Sequence, residues 1–300
     1  HIGVPLTLLS FNSETEFGIV EMGANHKKEI EFLCELATPD YGYITNFGKA
    51  HLEGFGGVEG VVIGKSEMYD YLSQNDKLAF INLEDAIQVE KAKTLKSFSF
   101  GVNKEMANVN INSIAANPFV EIQFSNHLIQ THLIGLYNAN NINAALTIGK
   151  YFGVDDLEIK EALESYIPEN NRSQLITKGT NRIILDAYNA NPSSMSVAVE
   201  NFLQLNDSNK IMILGDMFEL GNESPQEHKV LIDFLNDKKD VVIYFIGKEF
   251  YNQRTDSANY WFFETFNTFS EYLSGNKIEN SSILIKGSRG MALERTLQFL

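Results

Sequence analysis

The apolar positions change period along the chain, and the change outlines its elements. Phe17 to Met22 is a short apolar run that stops at Gly23 and reads as a buried strand. Ile30, Leu33, Cys34, Leu36 and Ala37 recur at helical spacing, which predicts a helix over 29–37 that Pro39 ends. Strands are expected at 41–47, 78–83 and 97–100, and helices at 58–72 and 84–93. Such alternation predicts a mostly parallel sheet with right-handed crossovers. After Gly101 the runs 109–114, 120–124 and 128–134 are short and alternating, and turn residues separate them. They are expected as antiparallel strands at the sheet's edge or on its flank. Helices should follow over 138–151 and 155–166, the second opened by an Asp155 cap.

Residues 168–173 form a polar, turn-rich break, which places a domain boundary between residues 1–172 and 173–300. Beyond it the alternation resumes. Strands are expected at 182–187, 210–214, 241–246 and 282–285, and helices at 194–205, 225–236, 268–273 and 291–300. The fold class is α/β: a mostly parallel sheet with an antiparallel flank, then a smaller, Rossmann-like doubly wound domain.

Composition narrows the function. A chain of 300 residues, 44% hydrophobic, can bury two cores. The net charge of −15 argues against broad nucleic-acid or anionic-membrane binding. The single cysteine, Cys34, excludes an internal disulfide framework, fits a reducing, cytoplasmic compartment and reads as core filler. No apolar run approaches the ~20 residues of a membrane span, so no membrane insertion is expected. No signal peptide is expected, and the start at His1-Ile-Gly-Val-Pro reads as the inside of a longer chain.

Candidate chemistry sits at predicted strand ends, where open α/β sheets bind ligands. Glu21 closes the first strand, His51 lies in the loop after the next, and Lys65 is on the helix that follows. Glu21 suits Mg²⁺, which takes oxygen ligands and often only one or two protein groups plus phosphates. Its bland alternative is a helix cap; those of His51 and Lys65 are a backbone-bonded loop histidine and a solvated lysine. The glycines of 54–60 resemble a dinucleotide fingerprint, but the last is one residue late and no ribose-binding acid follows, so a flexible turn is expected. Asn138 and Asn141, three apart, should share a helix face, and their amides suit a purine edge or a polar surface. In Asp186-Ala-Tyr188-Asn189-Ala-Asn-Pro-Ser-Ser, capping explains Asn-Pro-Ser-Ser but not Tyr188-Asn189. Asp216, Glu219 and His228, with Lys286, Ser288 and Arg289, lie at or near further strand ends; a Lys-Gly-Ser-Arg turn can bind a carboxylate, or be a basic surface turn.

Together the blocks His1-Ile-Gly-Val-Pro-Leu-Thr-Leu-Leu, Glu21-Met-Gly-Ala-Asn-His, Ala50-His-Leu-Glu-Gly-Phe-Gly, Gly64-Lys-Ser-Glu, Asn138-Ala-Asn-Asn, Asp186-Ala-Tyr-Asn-Ala-Asn, Gly215-Asp-Met-Phe-Glu-Leu-Gly and Lys286-Gly-Ser-Arg resemble the Mur ligases, in that family's order. Within the family they look most like the branch that adds D-alanyl-D-alanine to UDP-N-acetylmuramoyl-tripeptide for peptidoglycan. The resemblance implies an ATPase-like central domain and ATP-dependent amide ligation through an acyl phosphate. It implies ATP and Mg²⁺ as cofactors, and a monomer. On this likeness Glu21 and His51 hold Mg²⁺, and Lys65 matches a lysine carried as a carbamate that supports a second one. Asn138 and Asn141 face adenine, Asp186 the ribose and Arg172 a phosphate; Tyr188 and Asn189 line the nucleotide. Asp216, Glu219, Lys286, Ser288 and Arg289 lie toward the dipeptide.

The chain departs from the family pattern in three places. The 300 residues hold no Gly-x-x-Gly-Lys-Thr phosphate loop, which the family places upstream, and no N-terminal UDP-binding domain. A fragment with little or no ligase activity is therefore expected. Tyr137 stands where a histidine is common. A folylpolyglutamate synthetase-like ligase and a non-catalytic nucleotide-binding module are the competing readings.

Overall fold

The computed structural model describes residues 2–49, 51–169 and 171–300; His1 and Ala50, which begin two of the blocks above, and Asn170 lie outside them. The chain separates into two compact units. One holds the residues through 114 with 122–129 and 139–163; the other holds 115–121, 130–138 and 164–300.

Helices α1 (Gly3–Ser10) and α2 (Glu29–Ala37) precede strand β1 (Tyr41–Tyr43). A one-turn helix α3 (Leu52–Phe55) and the long α4 (Val58–Gln74) lead to β2 (Leu78–Asn82), α5 (Ala86–Lys91), β3 (Lys96–Val102) and β4 (Val109–Ile111). The four strands pair in parallel in the order β1-β2-β3-β4. β2 is buried almost throughout, as a strand covered on both faces must be. Asp85 caps α5, its Oδ1 accepting the Ile87 and Gln88 N–H groups at 2.9 and 3.1 Å.

Three expectations change here. Residues 17–22 are not a strand. Val20 and Met22 pack on the Val4/Ile30/Leu33/Cys34 cluster, while Phe17 and Ile19 are 63% and 90% exposed. Alternating burial is present, but a strand also needs a ladder partner for its N–H and C=O groups, and among the described residues none of the paired strands supplies one. β1 stops at Tyr43 although β2 runs on beside it, because the Gln88 side chain takes the next ladder places: its Nε2 donates to the Ile44 carbonyl at 2.9 Å and its Oε1 accepts the Asn82 N–H at 2.9 Å, while Ile44 and Phe47 go on into the core with Tyr69, Leu72 and Ile81. β4 is parallel to β3 and continues the main sheet. Asparagine side chains hold its tight connection: Asn108 Oδ1 accepts the Ser99 N–H at 2.8 Å and Asn110 Oδ1 that of Lys104 at 2.9 Å.

Strands β5 (Ser113–Ala116), β6 (Phe119–Phe124) and β7 (His127–Ile134) form a separate sheet in that order. Their links, 117–118 and 125–126, are short enough only for antiparallel neighbours. Helices α6 (Ala139–Tyr151) and α7 (Asp156–Ser165) follow; a 3₁₀ turn, Leu136–Asn138, leads into α6, and Asp155 Oδ1 accepts the Leu157 N–H at 2.9 Å ahead of α7.

The second unit's main sheet is built from β8 (Gln174–Lys178), β9 (Asn181–Asp186), α8 (Pro192–Gln204), β10 (Lys210–Gly215), α9 (Ser224–Leu235), β11 (Val241–Ile246), α10 (Lys248–Asn252), β12 (Tyr260–Phe263), α11 (Phe266–Gly275) and β13 (Ser282–Lys286). The strand order is β12-β11-β10-β13-β9-β8, with only β8 antiparallel to its neighbour. β8, β12 and α10 were not expected. β12 is the aromatic run Tyr-Trp-Phe-Phe, and its Phe262 stacks on Phe245 at 4.8 Å. The helix expected over 291–300 is two 3₁₀ segments, because Ala292 takes a left-handed φ of 49° between them. The parallel registers bring Asp186 beside Lys286, Lys286 beside Leu214 and Gly215 beside Ile246, so the carboxyl ends of β9, β13, β10 and β11 share one edge.

Candidate active site

Five of the sequence-predicted residues meet at that edge. The Lys286 ammonium, on a residue only 2% exposed, donates to Asp186 Oδ2 at 2.6 Å and to the Asn189 carbonyl at 3.2 Å. Asp186 Oδ1 accepts the Ser173 N–H at 3.1 Å. The Arg172 guanidinium lies 3.9 Å from the Tyr188 ring centre, both residues being exposed. The Tyr188 N–H donates to the Asn171 carbonyl at 3.2 Å. α8 starts behind this turn with a reciprocal cap: Asn191 Oδ1 accepts the Ser194 N–H and the Ser194 hydroxyl accepts the Asn191 N–H. Arg172, Asp186, Tyr188, Asn189 and Lys286 thus form one assembly. A carboxylate oxygen has two acceptor sites, so Asp186 keeps capacity for a hydroxyl.

The neighbouring strand end is closed on itself. Asp216 is buried, and its carboxylate oxygens accept the Glu249 and Phe250 N–H groups at 2.9 and 3.0 Å, capping α10. Gly247 makes room for it: a Cβ there would lie 2.3 Å from the carboxylate. Burial, the largest influence, pushes the Asp216 pKa up against the pull of those N–H groups. His228 is fully buried; its Nε2 accepts the Met217 N–H at 3.0 Å and its Nδ1 bonds the Ser224 carbonyl at 2.7 Å, the pattern of a neutral imidazole. The Ser288 hydroxyl accepts from Phe218 N–H at 2.8 Å and donates to the Ala190 carbonyl at 3.2 Å. Of the set expected toward a dipeptide, Asp216, Lys286 and Ser288 are therefore buried with polar atoms engaged inside the protein. Glu219 and Arg289 stand at the surface, the latter 3.4 Å from Glu294.

The asparagine pair does not share one exposure. Asn138 is buried and its amide donates to the Ile134 carbonyl at 2.8 Å, whereas Asn141 is exposed on α6. The 3₁₀ turn through Asn138 breaks the helical face that the spacing implied.

In the first unit, glycines bring the remaining blocks together. A Cβ on Gly54 would lie 2.2 Å from the Asn25 carbonyl oxygen, so the α3 turn after His51 packs directly on the loop after Glu21. A Cβ on Gly60 would lie 1.9 Å from the Phe55 carbonyl oxygen, and one on Gly64 2.4 Å from the Phe55 ring. The expected flexible turn is thus a packed helical turn in which only glycine allows the close approach. Glu67, one helical turn after Gly64, accepts the Lys28 and Glu31 N–H groups at 2.6 and 3.0 Å and holds the start of α2. Glu67 thus fills the capping role considered for Glu21, which is exposed, while Glu29 accepts the Asn25 and His26 N–H groups of the preceding loop. His51 is half-buried at the start of α3 with a left-handed φ of 52°. The Lys65 ammonium is not a solvated surface group: it donates to Asn46 O at 2.7 Å and Asn46 Oδ1 at 3.4 Å. Burial holds the Lys65 pKa below its ordinary value, with the Asp85 carboxylate opposing.

Among the described residues, no three His, Cys, Asp or Glu side chains gather into a ready-made metal cage. An exposed carboxylate with a nearby imidazole loop fits a cation that retains water and needs few protein ligands, as Mg²⁺ does.

Known proteins match this geometry along its length. The Mur ligase middle domain family matches residues 1–149, and the Mur ligase, glutamate ligase domain family matches 171–289. UDP-N-acetylmuramoyl-tripeptide–D-alanyl-D-alanine ligase of Haemophilus influenzae is 31% identical over 323 residues, covering 100% of this chain and 67% of that protein. The chain belongs to the Mur ligase family. The Bacillus subtilis ligase of the same name is 29% identical over 308 residues, again across 100% of this chain and 67% of the relative. A crystal structure of MurF from Acinetobacter baumannii superposes with a TM-score of 0.83 at 29% identity, covering 98% of this chain and 66% of that one. MurF of Thermotoga maritima, solved in complex with ADP, has the same fold, with a TM-score of 0.83 at 24% identity over 99% of this chain and 70% of that one. The chain spans about two thirds of the length of these relatives.

Within this Mur ligase fold, sequence reading missed two residues of the strand-end assembly. Ser173 was read only as part of a polar break, yet its N–H bonds Asp186 and its hydroxyl bonds the Tyr137 hydroxyl. Tyr137 was noted only as a departure from the family. The signal for Ser173 was its place beside Arg172; nothing in spacing alone pointed to Tyr137.

Proposed function

We propose that the polypeptide to which these 300 residues belong joins D-alanyl-D-alanine to UDP-N-acetylmuramoyl-tripeptide at the expense of ATP, as a cytoplasmic monomer in peptidoglycan precursor synthesis. The observation that carries the reading is the assembly of Arg172, Asp186, Tyr188 and Asn189 at parallel strand ends, in a chain that matches tripeptide–D-alanyl-D-alanine ligases from end to end. The terminal tripeptide carboxylate attacks the γ-phosphorus of ATP; the bond to ADP breaks and an acyl phosphate forms. The dipeptide amine then attacks the acyl carbon, the carbon–oxygen bond to phosphate breaks, and the nitrogen loses a proton. Such chemistry needs positioning and charge neutralisation more than covalent help from the protein.

In this proposal Arg172 faces a phosphate, Asp186 the ribose, Tyr188 and Asn189 the nucleotide, and Asn138 and Asn141 the adenine. Glu21 and His51 would hold Mg²⁺, which when bound neutralises phosphoryl charge. Lys65 fits the carbamylated position. Its buried amine is easier to deprotonate than an ordinary lysine, and the neutral amine is the form that adds CO₂. Glu219 and Arg289 are the members of their set exposed at the surface, where they would meet the dipeptide. The division of labour falls near residue 172.

Phosphate release by the natural polypeptide that carries these 300 residues, supplied with the nucleotide-tripeptide, ATP and Mg²⁺, tests the reading. D-alanyl-D-alanine should stimulate it and glutamate should not; the reverse result would establish the folylpolyglutamate-type reading. The 300-residue chain alone should run near background, and equal rates would contradict that.

A further inference from the structure

Beyond the residues that face the nucleotide, one buried line of polar contacts connects them. The Tyr137 hydroxyl bonds the Ser173 hydroxyl. The Ser173 N–H donates to Asp186 Oδ1, and Asp186 Oδ2 takes the Lys286 ammonium, which also bonds the Asn189 carbonyl. The line starts next to Asn138, passes Arg172 and ends at the Tyr188-Asn189 turn, all within the second unit.

The geometry points to Tyr137, Ser173 and Lys286 as positioning residues that hold Arg172, Tyr188 and Asn189 in place for the nucleotide. This inference rests on the nucleotide-ligase reading and goes beyond it, because it takes Lys286 out of the dipeptide set and gives the family departure at Tyr137 a role.

Three observations carry it. First, Lys286 has no route to an anionic ligand: its residue is 2% exposed, and its ammonium is bonded to Asp186 and Asn189. Second, Arg172 sits between two left-handed non-glycine residues, Asn171 at φ 60° and Ser173 at φ 49°. Left-handed backbone at a non-glycine residue is strained, more so for Ser173 than for Asn171, and persists where neighbours over-determine it. The neighbours here are the Tyr188 N–H on the Asn171 carbonyl and the Asp186 carboxylate on the Ser173 N–H. Third, Tyr137 is fixed from the other side. Gly135 has φ 83°, and a Cβ on it would meet the Tyr137 ring at 2.6 Å, so the ring lies flush against a position that only glycine suits. The Gly135 N–H is held by the Pro118 carbonyl at 2.9 Å and the Leu136 N–H by Asn201 Oδ1 at 3.3 Å. Burial also raises the Tyr137 phenol far above its ordinary pKa, so it remains a neutral hydroxyl at working pH.

The competing explanation is a buried ion pair that serves stability alone. Kinetic constants and binding separate the two. In the natural polypeptide that carries these residues, Tyr137→Phe keeps the ring and removes one hydrogen bond, a change of about fivefold for an interaction of ~1 kcal/mol. The KM for ATP and the dissociation constant of a fluorescent ATP analogue should both rise about that much, with the dipeptide KM moving less than twofold. Lys286→Met should raise both nucleotide constants at least tenfold, and Lys286→Arg should restore part of the loss. If Lys286→Met does not fold, Tyr137→Phe and Lys286→Arg decide. A rise in dipeptide KM with nucleotide constants unchanged would return Lys286 to the dipeptide. A fall in melting temperature with all constants unchanged would leave a structural role only; either result overturns the proposal. A parent protein that binds the analogue, and does so more weakly when varied, but forms no amide would overturn the ligase reading while this inference stands.

Discussion

The strand ends of the second unit and the glycine-packed turns of the first solve the same problem in opposite ways. At Asp186, Lys286 and Ser173 the polar groups hold one another: donors meet acceptors, and the charges neutralise before any ligand arrives. At Glu21, His51 and Lys65 the backbone is held instead, by Gly54 against Asn25 and by Gly60 and Gly64 against Phe55. Glu21 is left exposed there, and among the described residues it joins no cluster of three metal-ligating groups. The difference teaches that pre-organisation need not mean that the reacting groups bond each other. On the proposed reading the second unit meets a neutral ribose edge and a base, so the protein can complete its own network. The first unit would meet a cation bearing phosphates, and a carboxylate already paired there would have to be released at a cost.

Removing a charge from the completed network should have the largest effect. Asp186→Ala leaves the Lys286 ammonium buried and unpaired, and is expected to destabilise the protein by about 3–5 kcal/mol by denaturant midpoint. The double variant Asp186→Leu with Lys286→Met should recover most of that stability while nucleotide binding stays weak. A cost under about 1 kcal/mol for the single variant would break the contrast.

Next comes the glycine-packed side. Gly54→Ala puts a methyl group against a backbone carbonyl that no side-chain rotation can relieve, and should cost about 1–3 kcal/mol. It should lower metal-dependent activity while leaving the affinity for nucleotide without metal unchanged. Equal loss of both would merge the two regions.

A smaller effect is expected from pH. Burial lowers the Lys65 pKa, so the folded state binds its proton less well than the unfolded chain. The resulting penalty is full below the folded-state pKa and is relieved as pH rises toward the unfolded value. Carbamylation follows the same direction: activity dependent on it should rise with pH and with bicarbonate, and Lys65→Met should abolish both dependences. A rate that rises as pH falls through the same window would contradict the assignment.

The smallest effect concerns Cys34. Its thiol is pushed up to about 11 by burial, and its sulfur lies 3.9 Å from the Met22 sulfur. Iodoacetamide at pH 8 should label the native protein far more slowly than the protein in urea, and equal rates would show that the α2 face is open.

Much of this was legible in the chain. Strand-end residues could be named because parallel sheets place their carboxyl ends together; that β13 lies beside β9, and so Lys286 beside Asp186, is a matter of strand order that alternation does not give. What escaped was the use of the side chains. Spacing puts Lys286 at the right edge but does not say whether its ammonium points to solvent or to Asp186. The strand over 17–22 failed because apolar alternation reports burial, whereas a strand also requires a partner. Asn138 and Asn141 parted because a 3₁₀ turn intervenes, a local choice that apolar period does not encode. Among the glycines of 54–60, Gly56 and Gly57 supply the expected backbone freedom at φ 77° and 102°, whereas Gly54 and Gly60 serve close contact, which spacing does not encode.

The contrast between a completed and an open site is tested most directly by titrating Mn²⁺, in place of Mg²⁺, into the 300-residue chain and following the free ion by electron paramagnetic resonance, with and without ATP. Weak binding is predicted for the ion alone, tightening at least tenfold, about 1.4 kcal/mol, when nucleotide is present and losing that gain in Glu21→Gln. Tight binding without nucleotide, unaffected by Glu21→Gln, would contradict it.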